Sequence, residues 1–142
     1  YHRSKGKTLL NHLYDLYKRF GWHKESLLSR GFKGETGLER MKKLMMNLRS
    51  QPPASFGKGL AVVSVKDYLS DDFPDLPKSD VLQFVLEDTS LVSVRPSGTE
   101  PKIKFYISCC TEPGVEKAPA DEVLHKKTSA ITAKIEGFFE EV

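Results

Sequence analysis

The chain has no apolar run near the roughly 20 consecutive residues that a membrane-crossing helix requires. It also has no short apolar stretch of the secretory kind behind a basic start. The expectation is a soluble chain in the cytoplasm, with no membrane partner. Cysteine is scarce: Cys109 and Cys110 are the two, and they are adjacent. Neighbours on a strand point to opposite faces, so the pair is poorly placed for a structural disulfide, and reduced thiols are expected. The four histidines, His2, His12, His23 and His125, have no zinc-type spacing with the cysteines and read as surface or structural residues. Asp71, Asp72 and Asp75 lack the glycine and closing glutamate of a calcium loop, so no metal site is expected there. An excess of one charge is lacking too: 22 basic and 19 acidic residues leave +3. That suits attraction to a small anion and does not call for nucleic acid. Internal repeats and low-complexity tracts are absent.

What is there suits one domain of 142 residues, with 39% hydrophobic content to fill one core. Leu9, Leu10, Leu13, Tyr14, Leu16, Tyr17 and Phe20 recur at helical spacing between Thr8 and the stop at Gly21, giving an apolar face wide for a terminal helix. His23 to Phe32 reads as a short, weak strand. Thr36-Gly37-Leu38-Glu39 has capping-box spacing and opens a second helix, with Leu38, Met41, Leu44, Met45 and Leu48 as its buried stripe and Pro52-Pro53 as its end. Strands are predicted over Leu60–Tyr68, Ser79–Glu87, Leu91–Val94 and Ile103–Thr111, and a last helix from Pro119, with Leu124, Ile131, Ile135 and Phe138 inward. The expected fold class is α+β: a four-stranded antiparallel sheet with helices packed on one face, plus an N-terminal linking helix.

The chemistry concentrates in Arg95-Pro96-Ser97-Gly98-Thr99-Glu100-Pro101-Lys102, between two predicted strands. A guanidinium grips two phosphate oxygens with a planar fork. Ser97 and Thr99 offer hydroxyls, Gly98 frees the backbone to turn N–H groups towards an anion, and the prolines stiffen the loop. Proline and glycine between strands are also what a plain hairpin turn needs, and that reading stands beside the first.

The run from Arg95 to Tyr106, Arg-Pro-Ser-Gly-Thr-Glu-Pro-Lys-Ile-Lys-Phe-Tyr, resembles the phosphate-binding loop in the last domain of the α-D-phosphohexomutases, the family of phosphoglucomutases and phosphomannomutases. The resemblance implies that residues 23–142 form the C-terminal, phosphate-binding domain and that residues 1–22 link it to an upstream domain. It implies that Arg95, Ser97, Gly98 and Thr99 contact the substrate's phosphate, with Lys104 as a second cation and Lys102 within reach. Glu100 would orient the loop by pairing with a neighbouring lysine. The partner implied is a hexose phosphate, glucose or mannose, together with the upstream domains of the same chain. The family's catalytic serine segment (Thr-Ala-Ser-His-Asn type), magnesium loop (Asp-Gly-Asp-Ala-Asp type) and sugar-selecting loop (Gly-Glu-Glu-Ser-Gly type) do not occur here. The expectation is therefore a domain with no catalytic residue, inactive alone, with Mg2+ held elsewhere in the full enzyme. The other readings are a stand-alone anion- or RNA-binding module, and the same domain from a phosphopentomutase-like or phosphoglucosamine mutase relative.

Overall fold

Five segments form one antiparallel sheet in the computed structural model, which describes residue 6 and residues 8–142. They are β1 (His23–Gly31), β2 (Val62–Asp67), β3 (Leu82–Leu86), β4 (Leu91–Pro96) and β5 (Lys102–Cys110), in the spatial order β1-β5-β4-β3-β2. The α+β class holds, but the expected four-stranded sheet is corrected to five. The weak segment pairs with β5 along its whole length, from His23 opposite Cys110 to Gly31 opposite Lys102. Its pattern was muted for a physical reason. An edge strand has one partner, and of this one's apolar residues Leu28 packs against the core while Leu27 stays exposed. Backbone pairing, rather than alternate burial, makes it a strand.

Three helices accompany the sheet: α1 (Leu9–Phe20), α2 (Gly37–Ser50) and α3 (Lys117–Glu140). α2 crosses β4 and β5, and α3 crosses β5 and β1. The core lies between them and the sheet. Ile103, Phe105, Ile107 and Cys109 of β5 share the inner face, as their spacing predicts, and meet Leu124, Ile131, Ile135 and Phe138 of α3 and Met41, Leu44, Met45 and Leu48 of α2. Leu38, expected in that stripe, is instead 47% exposed. A residue with no predicted role completes the core. Phe56, in the connection after α2, is 1% exposed, with its ring 5.6 Å from Phe84 and 6.2 Å from Phe138.

The two N-caps exchange roles. Thr36 makes no side-chain cap bond, because its ψ of 3° is not the extended geometry that turns an N-cap hydroxyl onto the first helical amides. Thr8, at ψ 162°, makes that bond: its hydroxyl accepts from Asn11 N at 3.1 Å, while Asn11 Oδ1 accepts from Thr8 N at 3.2 Å.

α1 is held at its C-terminal end. Gly21 has φ 87°, and a Cβ there would lie 2.1 Å from the Thr111 carbonyl oxygen, so the chain passes β5 closer than a side chain permits. Trp22 N donates to Thr111 Oγ1 at 3.0 Å, and Thr111 N donates back to Trp22 O at 3.0 Å. Trp22 Nε1 donates to Val115 O at 2.8 Å, and Tyr17 stacks on its ring at 4.5 Å. The leucine face of α1 is not laid on the sheet; Leu9, Leu10, Leu13, Leu16 and Phe20 are all exposed. His2 lies outside the described residues.

Ion pairs tie helices to the sheet and its connections. Arg49, at the end of α2, reaches Asp67 of β2 and Asp80 ahead of β3, each at 2.7 Å. Burial opposes the Arg49 charge, but hydrogen bonds to Asp67 and Asp80 outweigh it and hold its pKa above the ordinary value. Lys127 of α3 reaches Asp88, in the β3–β4 turn, at 2.6 Å. Both cysteines are free and buried, and burial pushes the Cys109 thiol up. Among the described residues, no helix is long and apolar enough to cross a membrane.

Candidate anion-binding site

The β4–β5 hairpin brings together the cations expected in the loop. Val92 and Val94 point into the core, so their alternates Leu91, Ser93 and Arg95 lie on the outer face. On β5 the core takes Ile103, Phe105 and Ile107, which places Lys102, Lys104 and Tyr106 outward. The register sets Arg95 directly opposite Lys104, with Ser29 of β1 on the far side of Lys104. Cross-strand partners on one face sit with Cβ atoms about 5 Å apart, and like charges there repel. Neither Arg95 nor Lys104 has an ion pair or side-chain hydrogen bond within the described residues. Two unneutralised cations are thus held side by side at one end of the sheet.

The bend joining the strands adds donors. Ser97 N donates to Lys102 O at 2.7 Å and Lys102 N to Glu100 O at 2.7 Å, which closes the hairpin. Phe32 N donates to Pro101 O at 2.7 Å and ties the bend to the end of β1. Thr99 N reaches Ser97 Oγ at a long 3.5 Å. The Gly98 N–H, the Glu100 N–H and the Thr99 hydroxyl have no partner within the described residues. Gly98 is outside the left-handed region, and a Cβ there would meet nothing within 4 Å. The fold does not demand glycine at this position; its effect is to leave the amide unobstructed. Glu100 pairs with Lys102, Oε2 to Nζ, at 3.7 Å, the arrangement expected of a loop-orienting carboxylate. Lys102 is thereby partly neutralised, and Arg95 and Lys104 remain the uncompensated pair.

All six residues expected in the site therefore fall at one sheet end: Arg95, Lys102 and Lys104 on the strands, Ser97, Gly98 and Thr99 in the bend. The sequence pattern did not reveal what lies beside them. A groove of about 490 Å³ runs between the loop and α2, lined by Arg95, Pro96, Ser97 and Gly98 on one side and by Leu38, Met41, Lys42 and Met45 on the other, with Asp80 at its margin. The exposure of Leu38 follows from its place on this groove. No motif marked Lys42 or Asp80, because they come from elements distant in sequence; Asp80 is fixed there by Arg49. Among the described residues, no group of three or more His, Cys, Asp or Glu side chains converges to hold a metal ion. Residues present here do not fit a magnesium site.

This arrangement can bind a tetrahedral dianion through a guanidinium fork, an ammonium, hydroxyls and free amides. It contains no nucleophile with an adjacent base.

Residues 40–125 match the family model described as phosphoglucomutase/phosphomannomutase, C-terminal domain. The phosphoglucomutase of Staphylococcus aureus strain MRSA252 is 38% identical over 113 residues, covering 72% of this chain and 20% of that protein. The phosphoglucomutase of strain N315 is 37% identical over 112 residues with the same coverage. The chain thus spans 20% of the length of the curated relatives it matches. Among solved structures, pp63/parafusin of Paramecium, an exocytosis-sensitive phosphoprotein and phosphoglucomutase crystallised in an open form, superposes with a TM-score of 0.57 at 18% identity. That superposition covers 96% of this chain and 25% of the other, and at this identity it speaks to the fold.

Proposed function

Given that the chain belongs to the phosphoglucomutase/phosphomannomutase family and carries its C-terminal domain, we propose that it binds the phosphate of a hexose phosphate for an enzyme that moves a phosphoryl group between the C1 and C6 hydroxyls. In that reaction an enzyme phosphoserine donates a phosphoryl group to the sugar phosphate. The resulting bisphosphate turns over and returns a phosphoryl group from its other end. Each end must therefore occupy the same clamp in turn. A clamp made of a guanidinium, an ammonium, hydroxyls and amides recognises a phosphate without reading the ring attached to it, and so accepts both orientations.

The observation that carries this reading is the opposition of Arg95 and Lys104 without a counter-ion, beside a bend in which the Gly98 and Glu100 amides and the Thr99 hydroxyl are unused. Arg95 would take two phosphate oxygens, Lys104 and Lys102 would add charge, and Ser97, Gly98 and Thr99 would close around the remaining oxygens. This part contributes no catalytic residue and by itself is inactive. The phosphoserine and the Mg2+ belong to other domains of the same chain, to which residues 1–22, with α1, form the link. The two free, buried cysteines suit a reducing compartment, and the proposed setting is the cytoplasm.

The test is titration of the chain with inorganic phosphate, glucose 6-phosphate and a short oligonucleotide, followed by amide NMR. Shifts confined to 95–104 with both phosphates are expected, and none with the oligonucleotide. Removing a bidentate charge-assisted contact costs about 3 kcal/mol, so Arg95→Ala should weaken phosphate binding about 100-fold. Phosphate-induced shifts located elsewhere, or an Arg95→Ala variant that binds as wild type, would overturn the reading.

A further inference from the structure

Tyr106 is the aromatic residue on the outer face of the five strands, and the phosphate clamp as described does not use it. It follows Lys104 by two positions on β5, so it stands on the same face about 6.8 Å further along the strand. Its cross-strand neighbours are Ser93 of β4 and Leu27 of β1. The side chain is 40% exposed. Its hydroxyl makes no hydrogen bond and its ring makes no aromatic or cationic contact within the described residues. Around it the outer face is committed: Gln83 Nε2 donates to Ser93 Oγ at 3.1 Å, and Ser108 Oγ donates to Glu25 Oε1 at 2.6 Å. An aromatic ring left open between satisfied polar pairs, one strand repeat from two uncompensated cations, is placed to receive the body of a ligand whose phosphate those cations hold.

Building on the clamp reading above, we propose that Tyr106 is a substrate-contacting platform for the sugar ring of the hexose phosphate. A pyranose presents axial C–H groups on its faces, and an aromatic face attracts these without requiring a fixed pattern of donors and acceptors. The contact therefore favours a ring over an open chain, yet it tolerates a substrate that turns end for end. That is the selectivity a bisphosphate intermediate needs from a surface beside a shared clamp.

The test is calorimetric titration of the 142-residue chain with three probes: inorganic phosphate, glycerol 3-phosphate and glucose 6-phosphate. Wild type should bind glucose 6-phosphate about 5-fold more tightly than glycerol 3-phosphate, within the range of an aromatic contact. Tyr106→Ala should erase that ratio while leaving the inorganic phosphate affinity unchanged, which also reports that the variant is folded. Tyr106→Phe should keep the ratio. An unchanged ratio in Tyr106→Ala, or no preference for the sugar in wild type, overturns the platform and leaves the clamp intact. Loss of inorganic phosphate binding in wild type removes the clamp, and the platform with it.

Discussion

Two cations facing each other across β4 and β5 should make the ligand-free domain less stable than it could be. Lys104→Gln tests this directly. The residue keeps most of its aliphatic length, so packing on the outer face is conserved while one charge is removed. Opposed heads on the order of 6 Å apart at an exposed surface repel by about 0.7 kcal/mol at the dielectric constant of water. Salt at 0.15 M, with a Debye length of about 8 Å, trims this to roughly half. In low salt without phosphate the variant should therefore melt about 2 °C higher than wild type, at the roughly 3 °C per kcal/mol typical of a domain near this size. Phosphate reverses the order. At 100 times the dissociation constant, wild type gains about 2.7 kcal/mol. Loss of one charge-assisted bond, about 1.5 kcal/mol, weakens binding about tenfold and leaves the variant a gain of about 1.4 kcal/mol at the same concentration. The melting temperatures should cross as phosphate is added, and differential scanning calorimetry in a zwitterionic buffer reads both limbs. A variant that melts lower than wild type without phosphate would mean that Lys104 has a structural partner. Equal phosphate-dependent gains in the two proteins would mean that Lys104 does not touch the anion. Either result refutes the argument.

Arg49→Met should destabilise the fold by about 2 kcal/mol, because it leaves Asp67 and Asp80 facing each other beside partly buried backbone, and Asp67→Asn should recover part of the loss; urea unfolding measures both. Burial alone would push the Asp88 carboxyl up, but the Lys127 hydrogen bond and the Ser90 amide and hydroxyl outweigh it and hold its pKa below the ordinary value. A depressed folded value contributes stability that is present above the unfolded pKa and lost as pH falls through the folded one. Asp88→Asn should therefore flatten the loss of stability below about pH 4. Gly21→Ala places a methyl carbon where only 2.1 Å separates it from Thr111 O, at φ 87°. α1 should detach, and the fluorescence of Trp22, the single tryptophan, should shift to the red while the sheet stays folded.

The β4–β5 pair was the most legible part of the chain because strict alternation and a short proline-glycine connection act together. Once such a hairpin is accepted, its inner and outer faces follow from parity alone, and Ile103, Phe105 and Ile107 fall inward as expected. The stripe of α3 was legible for the same reason: its period is carried by large side chains that all meet one sheet. β1 was half legible, since an edge strand buries too little to impose a pattern. Phe56 was illegible, because an irregular connection has no period and its burial depends on where α2 and α3 leave a gap. Thr36 misled because spacing identifies a possible cap, while the backbone angle at the cap decides whether the hydroxyl reaches the amides. In the candidate site, the six proposed residues were named from the loop and the strand after it, but the direct opposition of Arg95 and Lys104 is a property of register. The groove wall formed by Lys42 and Asp80 is a property of tertiary packing.

The turns at opposite ends of the sheet differ in how far the fold answers their polar groups. In the β3–β4 turn, Asp88 Oδ1 accepts from Ser90 N at 3.0 Å and Asp88 Oδ2 accepts from Ser90 Oγ at 2.9 Å. Lys127 neutralises the same carboxylate and also donates to Cys110 O at 2.6 Å. Thr89 takes a left-handed conformation, φ 66°, and its hydroxyl lies 3.1 Å from Cys110 Sγ. Every charge and hydroxyl in that turn is answered from within the fold, which even accepts an unfavourable backbone angle to do so. In the β4–β5 bend the balance is opposite. The backbone closure is made by two short bonds and needs no left-handed residue, yet the amides of Gly98 and Glu100, the Thr99 hydroxyl and the charges of Arg95 and Lys104 remain unanswered. If the bend served only to reverse the chain, substituting neutral residues at 95 and 104 would remove a repulsion and leave the turn unchanged. Local consistency is broken at a hairpin where an external dianion would restore it, and that is what a binding site at this bend predicts.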